Sequence, residues 1–326
     1  MSFLKNKCKD LKTIYGGEYK MTKRPIIIDT DPGIDDAIAI AIALYSEKLD
    51  VRLVTTVAGN VSLEKVTYNA LRLLKFFKKD IPVAKGADRP LIKEPIDASG
   101  IHGSTGMDGF DFEEPTGDLL LKENAVDAMR RVISESKEPI TLVPIGPLTN
   151  IALLFKVYPE VKENIDEIVL MGGSTARGNA GVMSEFNIYA DPEAAKIVFQ
   201  SGVPIVMAGL DVGLKALIYP EDSEQLKDMN ETGNMAYQLF KKYRGGSMKS
   251  GLKMYDCFAM AYLLQPEMFE VADTFVDVEV AGTLTSGCTV VDLKGYLGQE
   301  NNAKVLLDVD EPMFKQWFFA SLQKCN

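Results

Sequence analysis

The chain is poor in several residue patterns that mark large functional classes. Its 326 residues include four cysteines, Cys8, Cys257, Cys288 and Cys325, far apart and with no Cys-x-x-Cys pair. That spacing excludes a zinc-ribbon framework and a disulfide scaffold, and it fits a reducing cytoplasm. Positive charge is in deficit: 36 Lys and Arg against 46 Asp and Glu leave a net charge of −10. A chain so balanced lacks the basic face that phosphate contacts require, so nucleic acid is excluded as a partner. Anionic substrates are disfavoured too, unless a metal intervenes. No apolar run is long enough to cross a membrane. The longest, about Ile34 to Leu44, is interrupted by acids. There is no internal repeat, low-complexity tract or Pro/Ser-rich linker, so residues 24–326 read as one domain with ample apolar content for its core. Residues 1–23 are basic and polar without an apolar h-region, which does not fit a secretory signal. They are expected to be a disordered extension ahead of an ordinary start at Met21-Thr22-Lys23-Arg24.

What the chain does have is a dense acid cluster. Four aspartates fall within eight residues, in Asp29-Thr30-Asp31-Pro32-Gly33-Ile34-Asp35-Asp36, directly after the apolar run Ile26 to Ile28. No basic residue interrupts them. Like charges packed so closely are costly unless a cation balances them. A set of oxygen ligands favours a hard cation, Ca²⁺ or Mg²⁺. Locally, Ile26 to Ile28 read as a buried strand, Pro32-Gly33 as a turn, and Ile34 to Leu44 as a helix. Asp29 and Asp31 share a face while the strand lasts. Asp35 and Asp36 lie in the first helical turn, where the dipole favours negative charge. Capping explains that second pair alone. The four acids are therefore expected together at the carboxyl end of a strand, where open α/β sheets bind ligands.

The rest of the chain alternates strand-like and helical segments. Strands are expected at Val51 to Val57, Ile81 to Ala84, Ile140 to Ile145, Ile168 to Met171 and Val203 to Ala208. Helices are expected at Leu63 to Phe77, Glu123 to Ser134, after Gly146-Pro147 through Val157, and from an Asp191 N-cap with Pro192 in first position. Residues 85–118 read as a long functional loop. Residues 221–265 read as helical with a Gly-rich break at 245–251. Phe275 to Leu307 alternates like antiparallel strands, and a helix closes the chain at Met313 to Leu322. This order predicts an α/β fold, a mostly parallel, Rossmann-like open sheet with helices on both faces. Polar groups fall where strands end: Asn60, the Ile145 carbonyl before its Gly-Pro turn, Met171 leading into Gly172-Gly173, then Glu185, Asn187 and Asp256. Together they describe one pocket rim.

The motifs Asp-x-Asp-Pro-Gly-x-Asp-Asp at 29–36, Ala-Gly-Asn at 58–60 and Pro-Ile-Gly-Pro-Leu-Thr-Asn at 144–150 resemble those of the inosine–uridine preferring nucleoside hydrolases. So do His-Gly at 102–103, Met-Gly-Gly at 171–173, Gly-Asn at 178–179, Glu-Phe-Asn at 185–187 and Asp-Pro-Glu-Ala-Ala at 191–195. Leu-Thr-Ser-Gly at 284–287 and Thr-Val-Val-Asp at 289–292 extend the match. The resemblance implies Ca²⁺-dependent hydrolysis of the N-glycosidic bond of a ribonucleoside by a homodimer or homotetramer. It implies metal ligation by Asp31, Asp36, Asp256 and the Ile145 carbonyl, where the family usually has Thr. Asp31 would also act as general base on the attacking water. Asp35, Asn187 and Asp256 would hold the ribose 2′- and 3′-hydroxyls, Asn179 and Glu185 the 5′-hydroxyl, and Asn60 and Met171 the sugar pocket. Asp29 would be a supporting hydrogen-bond partner. An acidic pocket suits the positively charged sugar that forms as the base departs, and its rim is expected to repel a 5′-phosphate.

One departure bears on catalysis. Where the best-known branch has a leaving-group His beside the C-terminal metal Asp, this chain has Tyr255. Tyrosine is a weak acid at neutral pH but can donate a hydrogen bond or stack on a base. His102, the only histidine, is a candidate to help the base leave, and Tyr243 is a second candidate to reach the base. Two rival readings follow. One is a non-catalytic nucleoside or ribose binder that has lost its acid. The other is a haloacid dehalogenase-type phosphohydrolase with Asp29 as nucleophile, for which later Lys and Gly-Asp-x-x-x-Asp partners are wanting.

Overall fold

A computed structural model describes residues 23–246 and 250–326; apart from Lys23, the expected N-terminal extension lies outside the described residues. The elements run β1 (Arg24–Thr30), α1 (Ile34–Tyr45), β2 (Leu49–Thr56), α2 (Leu63–Phe76), β3 (Val83–Lys85), α3 (Ser99–His102), β4 (Leu120–Asn124), α4 (Ala125–Glu135), β5 (Ile140–Pro144), α5 (Thr149–Val157) and β6 (Ile165–Met171). They continue as α6 (Phe186–Ala190), α7 (Pro192–Phe199), β7 (Ile205–Ala208), α8 (Leu210–Gly213), α9 (Pro220–Ser223), α10 (Glu231–Phe240), α11 (Tyr255–Leu264), β8 (Phe269–Val278), β9 (Thr289–Asp292), β10 (Ala303–Val309) and α12 (Glu311–Gln323).

These strands form one ten-stranded sheet in the order β4-β3-β2-β1-β5-β6-β7-β10-β8-β9. Every pairing from β4 to β10 is parallel, and only β10–β8 and β8–β9 are antiparallel. Strand parity builds two cores. Ile26 and Ile28 enter the layer beneath α1, α10, α11 and α12, whereas Ile27 enters the opposite layer with α4, α5 and α7. From Ile34 to Ala43 every residue of α1 is buried, so the helix lies inside the molecule rather than on it. Parallel pairing with both faces covered explains why β1 and β5 carry near-continuous apolar runs.

Several expectations shift at this level. The stretch 85–118 contains the short helix α3, and an unforeseen strand, β4, precedes α4. The segment 221–265 is helical with the expected break, as the short helices α9, α10 and α11, and beside that break Leu252 bridges Ile218 in antiparallel fashion. The C-terminal strands are not simply antiparallel, because β10 inserts parallel to β7 and antiparallel to β8. Local pattern cannot supply these, since each depends on a distant pairing partner.

The chain leaves β1 toward β2 on one side, and β5 begins the growth on the other. β1 and β5 therefore flank the topological switch point, where the ends of parallel strands open a crevice. Asp31 follows β1 and Ile145 follows β5 at that crevice.

Asp29 does not join its neighbours there. The strand ends at Thr30, and the Asp29 side chain, on the Ile27 side, accepts hydrogen bonds from Thr55 Oγ1 (2.5 Å) and Asn150 Nδ2 (2.8 Å). Burial pushes its carboxyl up to about 7 despite those two bonds. Asn150 also donates to the Thr56 carbonyl and accepts from the Ala87 N–H, so one amide ties β1, β2 and the loop after β3 to α5. Asn150→Ala would leave the Ala87 N–H without its acceptor and take one donor each from Asp29 and the Thr56 carbonyl, which keep the Thr55 hydroxyl and the Gly86 N–H, and is expected to cost about 1–3 kcal/mol. Urea denaturation measures this, and a loss well under 1 kcal/mol would show that the amide is not a structural tie.

Candidate active site

The turn after β1 folds its acids around a single asparagine. Asp36, at the third position of α1, reaches back to accept the Gly33 N–H at 2.9 Å and receives Thr30 Oγ1 at 2.6 Å. Asn60, after β2, donates its backbone N–H to Asp31 Oδ2 at 2.7 Å. Its side-chain amide donates to the Asp31 carbonyl at 3.0 Å and to Asp36 Oδ2 at 3.2 Å. Asn60 thus holds two carboxylates in fixed positions. Asp31 also needs its two glycine neighbours: a Cβ on Gly59 would fall 2.1 Å from Oδ2, and one on Gly146 would fall 2.6 Å from Oδ1.

From the far side, α11 brings Asp256 to this cluster. One oxygen each from Asp35, Asp36 and Asp256 lie within 4.8 Å of one another, all three residues buried. Asp31 Oδ1 is buried without a hydrogen-bond partner. Burial and then the Asp36 charge push Asp35 up to about 8, and the same two causes, in the same order, drive Asp31 well up. Asp256 rises well above the carboxylate range through burial and then the charges of Asp35, Asp36 and Asp31. An orphaned buried carboxylate oxygen beside three converging carboxylates fits a hard divalent cation, which would relieve the desolvation and repulsion together. The expected metal set named Asp31, Asp36 and Asp256; the convergent trio here contains Asp35 in place of Asp31.

The cavity above these acids holds about 360 Å³, a volume suited to a small organic ligand. Asp35, Asn60, Ile145, Met171, Asn187 and Asp256 are among the residues that line it. Asn187 donates its amide to the Ile145 carbonyl (3.0 Å) and to the Met171 carbonyl (3.1 Å), bridging the ends of β5 and β6. Glu185 caps α6: Oε1 accepts the Asn187 N–H, and Oε2 accepts the Ile188 and Gly173 N–H groups. Its carboxyl is pushed up to about 7 by burial, against the pull of those donors. Asn179 reaches the cavity wall with its Oδ1 already accepting the Phe186 N–H at 2.8 Å.

Rings form the upper wall. His102 closes α3, and its Nδ1 accepts the Ile34 N–H at 3.1 Å. The ring is therefore neutral, with its proton on Nε2. Burial and then the Arg244 charge push its pKa down to about 3, so its 4.0 Å approach to Asp35 Oδ1 is not an ion pair. The His102 and Tyr243 rings lie 5.5 Å apart. Tyr255 packs its ring on Gly213, where a Cβ would sit 2.2 Å from Cδ1. Burial raises its hydroxyl far above the usual phenol range.

The rim is not uniformly acidic, contrary to expectation: Arg177, Arg244 and Lys253 all line the cavity. They come from three separate stretches of sequence, and none carries a local signal. The Gly-rich stretch around 245–251 marks the break beside Arg244 but not its direction.

Converging buried carboxylates beside a cavity at the switch point of an open α/β sheet fit a metal-binding α/β enzyme. The family model for inosine-uridine preferring nucleoside hydrolases matches residues 26–316, and the chain belongs to that family. It is a ribonucleoside hydrolase, cleaving nucleosides to ribose and free base. It is 54% identical over 293 residues, 90% of this chain and 96% of the relative, to a non-specific ribonucleoside hydrolase RihC of Klebsiella pneumoniae. Among solved structures it is similar to a purine-preferring ribonucleoside hydrolase from Gardnerella vaginalis, with a TM-score of 0.86, 30% identity, and 93% and 99% of the two chains covered. A plant nucleoside hydrolase superposes with a TM-score of 0.84 at 30% identity over the same shares. Membership in this family removes the haloacid dehalogenase reading, and the hydrolase relatives at 54% identity speak against the pure binder; Asp29, locked behind Thr55 and Asn150, is not placed to be a nucleophile.

The raised carboxyls make stability depend on pH and cation in a definite direction. Asp35, at 3.8 when unperturbed and about 8 in the fold, contributes stability that is complete below 3.8 and lost as pH rises through 8. His102, lowered from 6.5 to about 3, acts in the opposite sense, losing stability as pH falls below 6.5. The carboxyls outnumber it. In chelator, thermal stability is expected to fall from about pH 5 to pH 8, and added divalent cation is expected to raise it more at pH 8 than at pH 5. Thermal melts at both pH values test this; a cation effect as large at pH 5 as at pH 8 would contradict it.

Proposed function

We propose that the enzyme is a Ca²⁺-dependent ribonucleoside hydrolase of broad base tolerance, working in the cytoplasm in nucleoside salvage. The observation that carries this reading is the meeting of Asp35, Asp36 and Asp256, all buried, where Asp35 and Asp256 also line a cavity of about 360 Å³, with the unpartnered Asp31 Oδ1 buried behind that lining. Asp31, Asp36, Asp256 and the Ile145 carbonyl are the proposed ligands, with Asp35 close enough to share in the site or to take the sugar diol. When bound, Ca²⁺ would organise that diol and acidify the attacking water.

The chain's own groups divide the remaining work. Asp31 takes the proton of the attacking water through Oδ1, while Asn60 and the two flanking glycines keep the carboxylate still. Asp35, Asn187 and Asp256 orient the 2′- and 3′-hydroxyls, and Met171 and Asn60 shape the sugar pocket. Glu185 and Asn179 meet the 5′-hydroxyl. The field of the buried acids stabilises the positive sugar as the C1′–N bond lengthens. His102 and Tyr255 act on the base side as hydrogen-bond donors and apolar walls rather than as proton-transfer acids. Rings accept purine and pyrimidine faces alike, which supports base tolerance, as does the name of the RihC relative. A single sheet running from β4 to β9 supports one domain over residues 24–326. The free Cys257, Cys288 and Cys325 are consistent with a reducing compartment. A homodimer or homotetramer rests on the family resemblance, and light scattering would measure it.

The direct test is ribose release from inosine, uridine, adenosine and cytidine, with chelator and with calcium restored. Release that stops in chelator and returns with calcium is expected; release indifferent to chelator would remove the metal from the reading. Asp31→Asn is expected to lower kcat by about 10³-fold or more while the fold survives. Near-normal turnover would remove Asp31 as the base. His102→Ala is expected to slow turnover roughly tenfold to a hundredfold through the lost wall and its bond to Ile34, without moving an acidic limb of the pH–rate profile.

A further inference from the structure

Cleavage of the N-glycosidic bond leaves an electron pair on a base nitrogen, and that charge must be met by a proton or a cation. The side chains around the base wall are poor sources of a proton. His102 already uses Nδ1 to accept the Ile34 N–H. Tyr243 is buried, and Tyr255 is only 8% exposed. A fixed cation, however, stands among them.

Arg244 lines the cavity with His102, Tyr243 and Tyr255. Its guanidinium carbon lies 5.6 Å from the centre of the Tyr243 ring. Its Nε is buried with no hydrogen-bond partner, and among the described residues no carboxylate forms an ion pair with it. Asp35, Lys253 and Asp256 line the same cavity, so the guanidinium shares it with two of the buried acids. The backbone adds a separate observation. Arg244 has φ 51° and ψ 42°, the left-handed region that glycine adopts freely and other residues rarely do. Gly245 and Gly246 follow with φ 67° and 83°. A strained conformation held at a cavity wall is the pattern expected where a side chain's direction matters more than local stability.

We infer that Arg244 is a catalytic residue whose guanidinium binds the departing base and stabilises it as a nitrogen anion. This rests on the cavity being the nucleoside site. Water forms the new C1′–O bond and gives its proton to Asp31, and the C1′–N electron pair passes to the base nitrogen. The base leaves paired with the guanidinium and takes a proton from solvent on release, while Asp31 returns its own. No redox change occurs, and no co-reactant is needed beyond water. A planar fork of donors suits bases that spread negative charge onto ring nitrogens and carbonyl oxygens.

The test compares substrates whose leaving groups differ in their need for help. Inosine and uridine release a basic nitrogen anion; 4-nitrophenyl β-D-ribofuranoside releases a phenolate that is stable unaided. The wild-type enzyme is assayed first, and ribose release from the two nucleosides stands or falls as the test of the nucleoside reading itself. Arg244→Gly, which suits the left-handed backbone, is then expected to lower kcat on inosine and uridine by about 10²–10³-fold, with KM moving much less. Its rate on the nitrophenyl riboside should stay within about fivefold of wild type, and added guanidinium should restore part of the nucleoside rate. Arg244→Lys, which keeps the charge but loses the fork, should fall between. Equal losses on all three substrates, or no loss on any, would overturn the inference. Should the glycine variant not fold, as judged by its thermal melt, the ratio of nucleoside to nitrophenyl riboside rates in Arg244→Lys decides the same question: an unchanged ratio overturns it.

Discussion

The constraint that organises this molecule is the burial of like charge. Asp31, Asp35, Asp36 and Asp256 are drawn out of water into one small volume, where desolvation and mutual repulsion act in the same direction. A fold tolerates that only if the surroundings determine each carboxylate and a cation or protons balance the excess. Much of the site's architecture answers that requirement. The Gly33 N–H and the Thr30 hydroxyl satisfy Asp36, and Asn60 spans Asp31 and Asp36. The close glycines at 59 and 146 leave room for a carboxylate that no larger neighbour would allow.

Three asparagines carry this order outward. Asn60 fixes the acids after β1 from the end of β2. Asn150 locks Asp29 into the layer behind them, and Asn187 joins the carbonyl ends of β5 and β6. Each offers its amide donors to carbonyl or carboxylate oxygens near the ends of the parallel strands. The switch point between β1 and β5 opens the crevice, and these amides make its floor rigid. Rigidity matters because electrostatic stabilisation of a transition state works through groups already in place before charge develops.

The cavity lining combines two chemical characters: the carboxyls of Asp35, Glu185 and Asp256, and the rings of His102, Tyr243 and Tyr255 with Arg244 among them. On the proposed reading, the acids suit a sugar that gains positive charge and the cation suits a base that gains negative charge. His102 joins the two: its Nδ1 serves the first turn of α1, and so the acid loop, while its ring lies 5.5 Å from that of Tyr243.

The acid motif at 29–36, the strand–helix alternation and the helix starts at Ile34 and Pro192 were legible along the chain, because turn chemistry, capping and strand parity act over a few residues. The polar groups at strand ends, from Asn60 to Asn187, were legible as a rim because parallel strands bring their carboxyl ends to one edge. What could not be read was every relation between distant segments. The pairing of β10 between β7 and β8, the short helix inside 85–118 and the retreat of Asp29 into the second layer each depend on a partner far away in sequence. The inclusion of Asp35 in the convergent acid trio depends on where α11 lays Asp256. Arg177, Arg244 and Lys253 give no local sign of a shared cavity, since a cation at a loop end is normally solvated. By itself the sequence determined that an acid cluster able to hold a cation sits at the end of a buried strand in an α/β sheet. Only the tertiary structure decided which carboxylates converge and which cation faces them, because burial and Coulomb interaction depend on distances through space rather than along the chain.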